Sequence, residues 1–348
     1  MHKKIYKFSK QILVILVLTT AFSCTKEENT SNLSETIFVR HKDADMPAYI
    51  HGNATDNIFL IMLHGGPGGI GLSYRGPAFD VIENEFAVVY FDQRGSGMAQ
   101  GSYSEEGITI DIMAEDVLAL VQVLKKKYGD DARFFLMGHS WGGTLGPAAL
   151  LKDQSDFLGW INVDGSHNTK GLYAAYISNF RRVAAEQIEL ENEVSYWNMV
   201  FEIINSVGTQ YSKQDMYALN SEAFEAEYTL EQTDIINANV ESDYNTILNY
   251  NLLTLFWNML NTQSILDDDL FETIDFTNRL SEITIPSTVM WGSHDMVVPI
   301  NFAEEAFDNL GSSDKSLLFF QKSGHSPMFS EPDLFATKVL EFMNEHKE

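Results

Sequence analysis

The chain has 348 residues, with 23 Lys and Arg against 49 Asp and Glu, for a formal charge of -26. That balance excludes nucleic acid, and an anionic membrane docked through a basic face, because both need Lys/Arg patches. A hydrophobic content of 45% is that of a globular chain, and the single cysteine, Cys24, excludes an internal disulfide, a thiolate metal cluster and a CxxC redox pair.

Lys3, Lys4, Lys7 and Lys10 precede an unbroken apolar run, Ile12 to Leu18, followed by Thr19, Thr20, Ala21, Phe22, Ser23 and Cys24. This is the plan of a secretory signal over residues 1–23. The apolar run is far shorter than the roughly 20 residues that span a bilayer. The ending Ala21-Phe22-Ser23-Cys24 resembles the cleavage box of bacterial lipoproteins, in which the cysteine is acylated. The resemblance implies an exported lipoprotein of the cell envelope, held to the membrane by a lipid on Cys24; a plain secreted protein is the alternative. Residues 24–36 are polar and without periodicity, and predict a flexible tether.

The folded body is predicted from residue 37. Segments 37–39 and 46–50 suit an antiparallel hairpin at a sheet edge. Short apolar runs at 57–63, 86–91, 133–137, 160–163, 288–291 and 316–320 each end in a turn, as strands buried on both faces do. Amphipathic or Ala/Leu-rich stretches at 110–127, 141–152 and 334–344 predict helices between them. Alternating strands and helices give an α/β fold with a mostly parallel eight-stranded sheet. From 165 to 280 the alternation stops and the pattern turns helical, which predicts an all-α cap after the sixth strand. The core then comprises residues 37–164 and 281–348.

Gly138-His139-Ser140-Trp141-Gly142 fits G-x-S-x-G and falls between a predicted strand and a predicted helix, the setting of a nucleophile elbow. A serine nucleophile needs a base and an orienting acid, and on this layout they follow in the order acid, then histidine. His325, after the last strand, is the candidate base; His167 is its rival, with His294 and His346 less well placed. Asp295, just past the seventh strand, is the candidate acid, with Asp164 past the sixth as runner-up. The oxyanion hole is assigned to the backbone N–H groups of Trp141 and of Gly66 in His64-Gly65-Gly66-Pro67-Gly68-Gly69. Neither an HExxH metal site nor a phosphate-binding loop occurs, so no metal or cofactor is expected.

HGGPGG at 64–69, Asp92-Gln93-Arg94-Gly95-Ser96-Gly97, and the serine motif stand in an order and spacing that resemble the proline iminopeptidase family of α/β-hydrolases. The resemblance implies that Ser140 is the nucleophile, Asp295 the orienting acid and His325 the base. It also implies release of an N-terminal residue, often proline, from a substrate whose free amine is held by cap glutamates. The cap is acidic, with 18 acidic against 5 basic residues between 165 and 280. Glu202, then Glu227, with Gly65 of the first loop, are the candidate substrate-binding residues. Aromatic residues of the cap, among them Trp197, Phe201, Tyr217 and Trp257, suit a pocket wall. Asp92 and Arg94 are expected to pin the loop after the fourth strand. An esterase or lactonase on the same scaffold is the alternative reading, and a binding protein with a relict fold is a third.

Overall fold

The computed structural model describes residues 30–101, 106–208, 210–240 and 250–348. The expected signal segment, Cys24 and most of the tether lie outside these residues. The central strands form where the sequence runs apolar without interruption. β3 (Ile58–Leu63) and β4 (Ala87–Phe91) bury every side chain, as does β8 (Ser287–Gly292). Such strands are stable only when covered on both faces. β1 (Leu33–His41) and β2 (Ala44–Gly52) form the edge hairpin. Burial alternates along β1 although residue type does not, as an exposed edge strand allows.

That hairpin moves one expected boundary. The composition predicts a tether reaching residue 36, but β1 begins at Leu33, which is buried and pairs with Gly52. Ser34, Glu35 and Thr36 read as linker by composition, although an edge strand tolerates polar residues equally well.

A two-residue strand, β5 (Gln100–Gly101), pairs with β2 and has no counterpart among the expected elements. The other strands are β6 (Arg133–His139), β7 (Phe157–Val163) and β9 (Lys315–Phe320). The sheet order is β1-β2-β4-β3-β6-β7-β8-β9, with every pair from β4 to β9 parallel. β3 is flanked by β4 on one side and by β6 on the other, so the winding reverses there. The crevice at such a reversal, beyond the carboxyl ends of the strands, is where open α/β sheets bind ligands.

Helices α1 (Pro77–Glu83), α2 (Ile110–Tyr128) and α3 (Trp141–Leu150) connect the first strands. Thr109 caps α2 by accepting the Ile112 N–H at 3.2 Å, and Lys125, Lys126 and Lys127 complement its carboxyl end. Between β7 and β8 the chain is helical: α4 (Gly171–Glu189), α5 (Val194–Ser206), α6 (Lys213–Gln232) and α7 (Leu252–Ile265). α8 (Asn301–Asn309), the short α9 (Pro327–Ser330) and α10 (Pro332–His346) complete the chain. Ser31–Glu348 forms one compact unit. No helix among the described residues is long and apolar enough to cross a membrane.

Candidate active site

Ser140 sits between β6 and α3 with φ +55° and ψ -119°. A non-glycine residue holds that conformation only when its surroundings enforce it. Here the turn is so tight that a Cβ on Gly138 would lie 2.1 Å from the Gly142 carbonyl oxygen, and one on Gly142 would lie 2.0 Å from that of Leu63. The serine is thereby lifted to the amino end of α3, where unpaired N–H groups and the helix dipole favour negative charge.

His325 and Asp295 stand on the loops after β9 and β8. The His325 ring pairs through Nδ1 with Asp295 Oδ2 at 2.9 Å. Asp295 Oδ1 accepts the N–H groups of Val297 and Val298, each at 2.8 Å. The aspartate therefore caps its own turn and orients the ring at once. With Nδ1 carrying the proton toward the carboxylate, Nε2 presents its lone pair. Nε2 is buried and has no hydrogen-bond partner, and His325 lines the same cavity as Ser140. Burial works against a protonated His325, but the Asp295 charge and hydrogen bond, with Glu227 behind them, outweigh it and raise the ring pKa above its ordinary value.

Asp164, the other acid considered, contacts a different group. Its Oδ1 accepts the Gly292 N–H at 2.9 Å. Burial and the neighbouring Asp295 charge push its pKa far up, which favours the uncharged form. His167 is also elsewhere: it pairs with Glu305 at 3.1 Å and lies against the Phe302 ring.

The three sequence motifs are knit together by side chains whose linking role the sequence does not show. Gln93 donates to the His64 carbonyl at 3.0 Å and accepts the Trp141 indole N–H at 3.0 Å. Tyr74 and His139 form a second link. The Gly65 N–H donates to the Tyr74 hydroxyl at 2.8 Å, which contacts His139 Nδ1 at 2.7 Å. His139 Nε2 contacts the His325 carbonyl at 2.6 Å. The carbonyl can only accept, so Nε2 carries the ring proton and Nδ1 accepts from tyrosine. Burial drives the His139 pKa down to about 3, which keeps the ring neutral in this role. Only the position of His139 inside G-x-S-x-G hints at this. Tyr74 gives no signal in the sequence.

Gly65, Gly66 and Trp141 all line the cavity. The Gly65 N–H is taken by Tyr74, so Gly65 contributes proximity: a Cβ there would lie 3.2 Å from that of Ser140. His64 is the structural loop histidine. Its Nδ1 donates to the Gly65 carbonyl at 2.7 Å, and burial lowers its pKa to about 4.

Asp92 and Arg94 both pin the loop after β4, as expected, each through its own partners: Arg94 does not pair with Asp92. It forks onto Asp116 at 2.7 and 2.8 Å and donates to the His41 and Lys42 carbonyls. Asp92 instead accepts the N–H groups of Gly71 and Met98, and burial raises its pKa to about 7.

Neither cap glutamate faces the serine. Glu202 is exposed, because α5 buries the stripe Trp197, Val200 and Ile204 and residue 202 falls off it. Glu227 is partly buried, but behind the site. It accepts the Met296 N–H at 2.9 Å and the His325 N–H at 3.0 Å. Burial and the Asp295 charge push its pKa to about 8. Of the aromatics expected in the pocket wall, Tyr217 lines it, Trp197 is core, and Trp257 is exposed on α7. The inner face of α7 is polar: Asn258 and Thr262 donate to the carbonyls of Gly97, Ala99 and Gly95.

The cavity has a volume of about 970 Å³. Its cap side includes Leu172, Tyr176, Phe224, Leu260 and Phe271, and Asp267 is the one carboxylate among the described lining residues. Asp267 is held by the Lys213 ammonium and the Tyr217 hydroxyl. Donor atoms of His139, Asp164 and His325 lie within 4.8 Å of one another, close enough for a shared metal. Both nitrogens of His139 are already engaged, so this trio does not offer three free donors.

A strained serine at a helix start, with a buried aspartate and histidine on the loops after the last two strands, defines an α/β-hydrolase-type site. The alpha/beta hydrolase fold family model matches residues 58–332, and the chain belongs to that family. Among curated relatives, it is 24% identical over 85% of its length, and 92% of the relative's, to a Bacillus subtilis protein named "Probable aminopeptidase YbaC". It is 26% identical over 82% of its length, and 84% of the relative's, to the proline iminopeptidase of Saccharolobus solfataricus. A solved proline iminopeptidase-related protein from Thermus thermophilus superposes with a TM-score of 0.62 at 20% identity, over 90% of this chain and 98% of that one. The chain is a hydrolase-fold enzyme that resembles the proline iminopeptidases.

Proposed function

We propose that the protein is a serine hydrolase that works through an acyl-enzyme and releases the N-terminal residue of a peptide, proline or another small residue. The observation that carries the hydrolase reading is the oriented His325 ring, with Nδ1 on Asp295 and a buried, unpartnered Nε2 in the cavity of Ser140. In the first step Ser140 Oγ attacks the scissile carbonyl carbon while Nε2 takes its proton. The oxyanion is received by the N–H groups assigned to Gly66 and Trp141, and losing one such donor typically costs about 10²–10³ in rate. The C–N bond then breaks and the leaving amine takes the proton from Nε2. Water, deprotonated by the same nitrogen, cleaves the ester and restores Ser140. Support for an aminopeptidase comes from the HGGPGG and DQRGSG loops and from the named relatives.

One observation favours the second reading, an esterase. The lining carboxylate Asp267 is already paired with Lys213, so a free carboxylate to hold an amine is lacking among the described lining residues. A panel of proline, alanine and leucine naphthylamides, their N-blocked forms, and p-nitrophenyl esters separates the two. Cleavage of free-amine amides but not of blocked ones is the expected result. Ester turnover without amide turnover sinks the aminopeptidase reading.

We further propose export as a lipoprotein acylated at Cys24, on the strength of the signal-like residues 1–23 and the position of the sole cysteine.

A further inference from the structure

The acid loop is gripped by the cap. The Tyr176 hydroxyl of α4 donates to the Val297 carbonyl at 2.7 Å, and Asn179 of α4 donates to the Asp295 carbonyl at 3.1 Å. Asn220 of α6 donates to the Tyr176 hydroxyl at 2.8 Å. Glu227 of α6 completes the grip at the Met296 N–H between those two carbonyls. It also reaches the base loop, where both carboxylate oxygens accept the His325 N–H at 3.0 and 3.1 Å. Residue 324 is shaped for this approach: a Cβ there would lie 2.6 Å from Glu227 Oε2, so Gly324 is what lets the carboxylate in.

We infer that Glu227 is a positioning residue of the cap, a carboxylate that pins the acid loop and the base loop to each other so that the His325 ring stays on Asp295 and aimed at Ser140. It touches backbone, not substrate. A cap glutamate that binds an amine has to face the cavity, and the carboxylate oxygens of Glu227 are occupied by two main-chain donors. The energetic logic is one of placement. Two loops after different strands have to hold an imidazole and a carboxylate at 2.9 Å, and a displacement of about 1 Å at a reacting group costs about 10²-fold in rate. Because α6 lies in the insertion, this contact also makes the geometry of the site depend on how the cap is seated.

The inference rests on Ser140 being the nucleophile, and its test keeps the two apart. The full chain is treated with a fluorophosphonate probe, and the saturating inactivation rate and the half-saturating concentration are measured for the parent, Glu227→Gln and Glu227→Asp. Gln keeps the reach and one acceptor oxygen, Oε1, which already serves both N–H groups; it loses the ability to ionise. Asp keeps an ionisable carboxyl and withdraws it by one methylene. Positioning predicts that Gln stays within a few fold of the parent. It predicts that Asp loses about 10²-fold in the saturating rate at an unchanged half-saturating concentration. The opposite order, Asp near the parent and Gln slow, makes charge the function of Glu227 and overturns the inference. Equal rates in all three overturn it as well. A parent chain that does not react at Ser140 refutes the nucleophile itself, which is a different failure. Melting curves of both variants separate lost rate from lost folded protein.

Discussion

Asp295→Asn isolates the acid from the shape it occupies. The amide is isosteric, but its orientation is dictated: Oδ1 accepts the N–H groups of Val297 and Val298 at 2.8 Å each. An amide nitrogen turned toward them leaves two donors facing a donor, so the Asn oxygen takes that side and its NH₂ faces His325 Nδ1. The ring then accepts at Nδ1 and carries its proton on Nε2, the wrong tautomer for receiving the serine proton. The same swap in a triad of this geometry lowers turnover by about 10⁴-fold, roughly 5–6 kcal/mol of barrier. Asp164→Asn is the matched control. Burial and the Asp295 charge favour the uncharged form of Asp164, and Asn keeps its acceptor for the Gly292 N–H, so this variant stays within about tenfold, an allowance for small shifts of the site. The assay is the fluorophosphonate inactivation rate, with near-ultraviolet circular dichroism to establish native packing. An Asp295→Asn chain within about tenfold of the parent refutes the tautomer argument, and a collapse in Asp164→Asn instead reassigns the acid.

The acylation rate should fall as pH drops, with a midpoint above the ordinary histidine value of 6.5. The neutral ring is the active form and a raised pKa extends the protonated range upward; a midpoint below 6.5 contradicts the assignment of Asp295 as its partner. Tyr74→Phe strands the Gly65 N–H and His139 Nδ1, and should lower stability by about 1–3 kcal/mol in urea titrations. An unchanged midpoint removes Tyr74 from the link between those loops. Cys24→Ser should move the exported protein from the membrane fraction to the soluble one, and an unchanged distribution contradicts acylation at that residue.

Much of the fold is legible because its central strands are buried on both faces. Ile58–Leu63 and Ala87–Phe91 read as strands from apolar content alone, and the glycines of the elbow announce a backbone too crowded for any Cβ. The same logic cuts β1 short, since Ser34-Glu35-Thr36 carries no apolar signal at an edge where none is needed. Order along the chain is what places Ser140, Asp295 and His325, and the strand ends then translate that order into proximity. The cap is opaque for a different reason. Neighbouring residues in sequence rank its glutamates, while helical phase decides which way they face. Glu202 turns out to solvent and Glu227 toward the backbone of two loops far away in the chain. Tyr74 and His139 act through a carbonyl and an N–H, and main-chain partners leave no imprint on side-chain pattern.

The central claim is that Ser140 carries the acyl group. Mass spectrometry of the protein after reaction with the fluorophosphonate probe tests it directly. A single adduct on the peptide that contains Ser140, absent in Ser140→Ala, is the predicted result. An adduct on another residue, or none on a chain that still hydrolyses its substrate, contradicts it.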